Sequence, residues 1–227
     1  MGRKQTMFRA MLLNGSGGGG CAPITNTTTQ IFATGTNSDD DAVVTNYWNR
    51  GANGQIWTQA ELGSAKQITA LEYQQTNSTA SSPYTFSDII IRMCHTTDTA
   101  FSSTNTVTGT WPNIEIPGIS NKSDEIEVHN GSFTVTNTTG WQTLNLDTNF
   151  CYNGTDNVVI MVIKENQIYE SLSNVFKWRY AGSSTVGSNS FWWRSDTLIM
   201  DGLGISPGSS STDGDINSGR PWLRVKH

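Results

Sequence analysis

The sequence predicts an all-β protein, a two-layer and jelly-roll-like β-sandwich preceded by a flexible N-terminal arm. Strand-like runs recur at short intervals between clusters of Asn, Gly, Ser and Thr, whose side chains compete for backbone hydrogen bonds and favour turns. No stretch between these runs has a sustained period of about 3.6 residues, as a helix would require. Eight Trp, eight Phe and six Tyr supply enough apolar volume for a core.

The predicted strands are short and closely spaced. They lie near residues 30–35, 54–58, 67–75, 86–95, 107–111, 125–129, 132–137, 141–146, 157–164, 174–181, 189–194 and 221–226. Segment 59–63 is the candidate for a single helical turn. Residues 1–23 form the predicted anchoring arm, which ends in a glycine-rich hinge, and residues 24–227 form one sandwich domain.

Two kinds of strand pattern are present. In segment 141–146, Leu144 and Leu146 share one face while Thr143 and Asn145 share the other, as in a strand with one solvated side. Segments 89–91 and 158–163 are apolar at every position, so both of their faces need cover. That cover comes from another segment of the chain or from a neighbouring subunit, and the second alternative predicts a homo-oligomer.

The charge balance argues against several partners. A net charge of −5 and a pI near 5.1 do not fit the basic stripe of a nucleic-acid-binding protein. The longest apolar run, 158–163, is far too short to span a membrane. The start of the chain is basic and then apolar, but Arg9 interrupts the apolar stretch, so we expect no export by the general secretory route.

The chain has three cysteines, Cys21, Cys94 and Cys151, and none of their spacings matches a zinc site. An odd and sparse number is typical of a protein folded in a reducing compartment, or of one with a single bridge. We expect Cys94 and Cys151 to be buried strand residues, and whether these two pair is left open.

The chain has few groups suited to catalysis, and we expect it not to be an enzyme. It lacks the motifs of serine hydrolases, zinc proteases and phosphate-binding loops. Glu125 and Glu127 fall on one face of a predicted strand, roughly 6–7 Å apart, near the separation of glycosidase carboxylates. A solvated polar face is the simpler interpretation, because glycosidase carboxylates usually come from different elements around a cleft.

One acidic segment resembles part of a calcium loop. Asp213, Asp215 and Asn217 alternate around glycine and would supply oxygen ligands. A full loop also needs a Glu near its twelfth position and a helix after it, whereas Pro221 follows here. A turn rich in Asp and Gly is the simpler explanation, and calcium is the only cofactor that we consider.

Tryptophans provide the candidate ligand-binding residues. Trp192 and Trp193 are adjacent in a predicted strand, so one indole points to each face. One of them belongs to the core, and the other is exposed or covered by a partner. Together with Trp178 and Arg194, an exposed indole would stack on a sugar ring. A second core or interface residue is the alternative.

Four segments resemble a known module in the same order. Segment 55–63 (QIWTQAELG) with 68–71 (ITAL) resembles "QIYTASELG … ITAI", and segment 95–102 (HTTDTAFS) resembles "GHTTKTSF". Segments 140–160 and 220–224 (RPWLR) resemble "GW … PFxYDGTSNLVV" and the closing "RPNIR". The module is a β-sandwich repeated in secreted surface proteins of Bacteroidetes. The resemblance implies adhesion or display and brings no catalytic residues.

The N-terminal arm and hinge instead resemble the short leaders of phage tail and head proteins. We therefore expect a non-enzymatic phage virion protein, a tail, fibre or head-decoration component, that attaches to a host-surface glycan. Residues 1–23 would bind other virion proteins, and the location would be the virion. The alternatives are a secreted bacterial cell-surface adhesion or carbohydrate-binding module, and a glycan-cleaving enzyme that uses Glu125 and Glu127.

Overall fold

The fold is nearly all β-structure, as the sequence predicts. The computed structural model describes residues 21–33, 35–39, 42–44, 47–78, 82–102, 108–110, 113–116, 118–164, 175–182, 188–195, 213–216 and 219–227. Within these ranges no helix is long and apolar enough to cross a membrane. The helix that they contain, α1 (Gln59–Leu62), is the single turn expected at segment 59–63.

The described residues form fourteen strands. Their bounds are Thr28–Phe32 (β1), Asn37–Asp39 (β2), Arg50–Trp57 (β3), Lys66–Ser78 (β4), Tyr84–Thr96 (β5), Thr108–Thr110 (β6), Asn113–Glu115 (β7), Lys122–Val135 (β8), Gly140–Tyr152 (β9), Asn157–Lys164 (β10), Phe176–Tyr180 (β11), Ser190–Ser195 (β12), Asp213–Ile216 (β13) and Leu223–Lys226 (β14). Strands β2, β7 and β13 are too short or too polar for the sequence pattern to have predicted them. The two strands expected at 125–129 and 132–137 form one continuous strand, β8.

The strands form two six-stranded antiparallel sheets that pack against each other. Sheet A is built around β4, with β9 along one edge and β14 and β11 along the other; β1 pairs with β14 and β2 with β11. Sheet B has the order β13-β12-β3-β10-β5-β8. Strands β6 and β7 form a small separate ribbon. The chain crosses repeatedly between the sheets, so the architecture is the expected jelly-roll-like sandwich.

The main core lies between the two sheets and is rich in aromatic rings. Its largest members are fully buried: Trp57, Tyr73, Phe86, Phe150 and Trp178. Leu144 faces this core and its neighbour Thr143 does not, which confirms the alternation predicted for segment 141–146. Val225 and Arg224 of β14 alternate in the same way.

Sheet B is buried on both faces. Val158, Ile160 and Val162 of the central strand β10 face the core between the sheets, and the intervening side chains face a second core outside sheet B. The second core is closed by apolar side chains from the segment between β5 and β8, which are Phe101, Ile116 and Ile119. Because the chain itself covers this face, the doubly apolar strand no longer argues for a second subunit. Homo-oligomerisation stays a prediction.

A buried ion pair joins helix α1 to the segment before β14. The Arg220 guanidinium donates to the Glu61 carboxylate at 2.6 and 3.0 Å and to the Ile56 carbonyl at 2.8 Å. It also lies 4.6 Å from the centre of the Trp57 ring. Glu61 accepts hydrogen bonds from the backbone N–H and the hydroxyl of Thr58, which caps the helix. The pair therefore fixes three chain segments to one another.

The first described residue is covalently attached to sheet A. Cys21 forms a disulfide with Cys151 on β9, with the two Cα atoms 5.3 Å apart and 130 positions apart in the chain. Cys151 therefore pairs with Cys21. Its pairing with Cys94, which the sequence left open, does not occur. Cys94 is a buried free thiol, as expected, and burial raises its pKa to about 12, so it resists thiol–disulfide exchange.

We expect loss of this disulfide to destabilise the domain. Cys21→Ser should lower the free energy of unfolding by about 2–5 kcal/mol, because the bridge restricts the unfolded chain across a long loop. Urea denaturation followed by circular dichroism measures the effect. Dithiothreitol should shift the midpoint of the unmodified chain and of the control Cys94→Ala, but not that of Cys21→Ser. Equal midpoints for all three proteins, with and without reductant, would contradict the assignment.

The Glu61–Arg220 pair should make stability depend on pH. Burial alone raises the pKa of the Glu61 carboxyl, but the contacts with Arg220 and Thr58 outweigh it and hold the pKa below the usual value of 4.5. The stabilisation is therefore complete above about pH 5 and is lost as the pH falls through the lowered pKa. Glu61→Gln should lower the thermal midpoint at pH 7, and the difference from the unmodified chain should shrink below pH 4. A difference that stays constant between pH 7 and pH 3 would refute this role.

Candidate functional site

Two of the tryptophans predicted to bind ligand are core residues. Trp178 on β11 is fully buried between the sheets, where its indole N–H donates to the Val44 carbonyl at 2.8 Å. Trp193 on β12 is buried in the second core beside Phe191. Neither ring offers a face to solvent, so the expectation that they contact a sugar is wrong. The expectation that one of the two adjacent indoles belongs to the core is confirmed.

The other two predicted residues lie together at the edge of sheet B. Trp192 is half-buried, and the Arg194 guanidinium lies 4.6 Å from its ring centre. The same guanidinium lies 4.7 Å from the ring centre of Trp48, so Arg194 is held between two indoles. One face of each indole is therefore occupied by a cation. This arrangement gives the three side chains a structural role, because it joins β12 to the segment directly before β3.

Two of the three predicted calcium ligands lie on β13, the strand at one edge of sheet B. Asp213 and Asp215 belong to β13, opposite Arg194 and Trp192 in the ladder, so this part of the segment is an extended strand and not the expected turn. Asn217 lies outside the described residues. Among the side chains that the structure does describe, no cluster of three or more His, Cys, Asp or Glu is suited to a metal ion. Calcium at this segment stays a prediction.

The two carboxylates considered for glycan cleavage have different surroundings. Glu125 is half-buried and pairs with Arg92 and Lys122, each at 2.7 Å. It also accepts a hydrogen bond from the Ile116 backbone at 3.3 Å, which ties β8 to the segment covering the second core. Glu127 is exposed and accepts a hydrogen bond from Asn130. Glu125 thus has a structural role, and the simpler interpretation of a fully solvated polar face does not hold for it.

A wide depression at one end of the sandwich is organised by an aspartate. It has a volume of about 460 Å³ and is lined by polar residues with Phe101 at its base. Asp98 accepts hydrogen bonds there from the backbone N–H groups of Ser120 and Asn121 and from the Asn121 side chain. Burial would raise the pKa of Asp98, but these bonds lower it overall. The Asp98 carboxylate therefore joins the loop after β5 to the loop before β8.

The strongest candidate site lies on the outer face of sheet A, the face turned away from the core. Alternation places Arg224 of β14, and Trp222 directly before this strand, on this face, since Leu223 and Val225 point inward. Trp141 of β9 and Arg179 of β11 reach the same face from the two other strands that pair with β4. We call these four residues the tryptophan–arginine patch. All four are half-buried and together present a continuous surface.

A different guanidinium lies over each of the two indoles of the patch. The ring centres of Trp141 and Trp222 are 6.4 Å apart, with 31° between the ring planes. The Arg224 guanidinium lies 3.9 Å from the centre of the Trp141 ring, and that of Arg179 lies 5.5 Å from the Trp222 ring. Cation–π contacts of this kind hold a long arginine side chain in one orientation. The patch is therefore an ordered surface of two rings and two cations.

The face around the patch is positively charged. Lys177 and Lys226 lie on it beside the two arginines, so four of the 14 Lys and Arg residues share one face of a chain whose net charge is −5. Glu72 offsets part of this charge, because its carboxylate pairs with Lys226 at 3.1 Å and accepts a hydrogen bond from Thr143 at 2.8 Å. The arginine end of the face keeps its positive charge.

The patch was not among the sites predicted from the sequence, although the pattern that indicates it is present there. Trp141 occupies a position of the alternating strand 141–146 that shares its face with Thr143 and Asn145, the polar side. Trp222 alternates in the same way with Leu223 and Val225. A tryptophan on the polar face of an amphipathic strand indicates a surface function. What the sequence alone does not give is that β4 places β9 and β14 on its two edges, which brings the rings together.

Comparison of the chain with protein-family models, with curated proteins and with solved structures finds no match.

The burial of the predicted tryptophans leads to a test by substitution. Trp178→Ala should lower the free energy of unfolding by about 3–5 kcal/mol, because it leaves a cavity in the main core and an unpaired Val44 carbonyl. Trp192→Ala, at a half-buried position, should cost clearly less. Urea denaturation at neutral pH measures both values. If Trp192→Ala proved as damaging as Trp178→Ala, the assignment of core and edge positions would be incorrect.

Proposed function

We propose that the chain is a non-enzymatic attachment module, a β-sandwich that binds surface glycans through the tryptophan–arginine patch. The observation that carries the proposal is the pair of half-buried indoles on an otherwise polar sheet face. Aromatic rings bind the apolar faces of sugar rings, while neighbouring polar groups bind the hydroxyls. Gln74 and Thr143 lie next to Trp141 on this face and can supply such groups.

An extended sheet face suits a polymer better than a small molecule. The patch spans β9, β4 and the start of β14, and ladders on both edges of β4 join these strands. A polymer can contact such a surface at several points along its length, and a rigid surface loses less conformational entropy on binding. Such binding suits attachment. When several copies of a module are carried by one particle or cell, the first contact raises the effective concentration for the next, so weak contacts together give a high overall affinity.

Two carriers of the module fit an attachment function. The sequence analysis favoured a phage particle with residues 1–23 docked on it. The Cys21–Cys151 disulfide supports the second alternative, a secreted bacterial cell-surface module, because such bonds persist in oxidising surroundings. Immunogold labelling of intact cells and of purified particles with an antibody against this chain distinguishes the carriers.

Removal of the rings should weaken glycan binding without unfolding the domain. The double variant Trp141→Ala/Trp222→Ala should lose about tenfold or more in affinity for glycans that bind the unmodified chain, since each aromatic contact contributes roughly 0.5–1.5 kcal/mol. A glycan array followed by isothermal titration measures the loss. The matched control is Trp192→Ala, which removes a half-buried indole from sheet B and should bind normally. If the array shows no ligand, or if only Trp192→Ala loses binding, the proposal fails.

A further inference from the structure

One arginine of the patch, Arg224, differs from the other stacked arginines of the domain. Arg179 lies over Trp222 and donates to the Thr36 carbonyl at 2.8 Å. Arg220 is buried and bonded to Glu61, and Arg194 is held between Trp48 and Trp192. Arg224 instead lies over Trp141 and, within the described part of the chain, makes one hydrogen bond, a long one of 3.4 Å to the Gln30 side chain. Among the described residues of sheet A, Glu72 pairs with Lys226, and no carboxylate pairs with Arg224. Arg224 is thus oriented but only weakly bonded.

Stacking on an indole prepares a guanidinium for a particular ligand geometry. The N–H donors of arginine lie in the plane of the group, so contact between the plane and a ring leaves the donors directed along the sheet surface. Two parallel N–H donors match the two oxygens of a carboxylate. Since the ring already restricts the side chain, less conformational entropy is lost when an anion binds.

We infer that the ligand of the patch is an acidic polysaccharide, whose uronic acid carboxylates pair with Arg224 and Arg179 while the sugar rings contact Trp141 and Trp222. This inference rests on the proposed function and adds the class of ligand. Charge complementarity supports it, because four cations share this face of an acidic chain. The alternation of rings and cations matches a polymer that presents an apolar sugar face and a carboxylate in each repeat.

A nucleic acid would also present anions and flat rings, but the chain fits it less well. Binding of a nucleic acid needs a basic stripe that neutralises many closely spaced phosphates, whereas this face has four cations, one of which is paired with Glu72. The Arg224 guanidinium beside the Trp141 ring can donate two parallel N–H bonds to a carboxylate, which an acidic sugar supplies.

The test compares matched polymers on the complete chain. Affinity electrophoresis and isothermal titration would use polygalacturonate, alginate and hyaluronate, each beside its carboxyl-reduced, neutral form, and a single-stranded oligonucleotide. We expect at least one acidic polymer to bind at least tenfold more tightly than its neutral form, and 0.5 M NaCl to weaken that binding. Arg224→Gln and Arg179→Gln should each reduce the affinity about tenfold. Arg224→Lys should fall between Arg224→Gln and the unmodified chain, because it keeps the charge and loses the paired donors.

Arg194→Gln is the matched control, since it removes a stacked arginine from sheet B, and its affinity should equal that of the unmodified chain. Thermal midpoints of all variants establish that each is folded. Equal binding of acidic and neutral polymers, lost in Trp141→Ala/Trp222→Ala, would overturn the ligand class and leave the proposed function intact. Binding of the oligonucleotide alone would overturn the inference. Absence of binding to every polysaccharide, acidic or neutral, would overturn the inference and the proposed function together.

Discussion

Strand β10 brings apolar side chains to both faces of sheet B, and the rest of the fold depends on covering them. Val158, Ile160 and Val162 are covered by sheet A, and the alternate residues by the segment that carries Phe101 and Ile119. If either layer were removed, a row of β-branched side chains in the middle of a sheet would be exposed to water, at a cost of roughly 1.5–3 kcal/mol for each. The connection between β5 and β8 therefore covers the outer face of sheet B, in addition to joining the two strands.

This constraint also gives the two sheets different roles. Sheet B is buried on both sides over much of its area, so its side chains are used mainly for packing. Within the part of the chain that the structure describes, no further layer packs on the outer face of sheet A, where Trp141 and Trp222 are half-buried. The two candidate aromatic clusters differ accordingly: Trp192 and Arg194 complete an edge of sheet B, whereas the tryptophan–arginine patch lies on an open surface.

The fold class and most strands could be predicted from the sequence because they depend on local patterns. Alternation located β9, and uninterrupted apolar runs located parts of β5 and β10. The pairing of Cys21 with Cys151 could not be predicted, since it depends on where the chain before β1 passes over β9. The site was misassigned for a similar reason. Two adjacent tryptophans indicated a binding site on β12. Whether a strand face is covered, however, depends on segments that are far away in sequence, such as the one that buries Trp193.

The disulfide and the patch are on the same strand, and this determines how the domain would carry a mechanical load. Cys151 is near the end of β9, and Trp141 is near its beginning. Tension that enters through Cys21 would pass covalently into β9 and run along it towards a ligand held at Trp141. The edge strand β1 would be bypassed, so its ladder to β14 would not be peeled apart one bond at a time. The long ladder between β9 and β4 would instead be loaded in shear, with its hydrogen bonds resisting together.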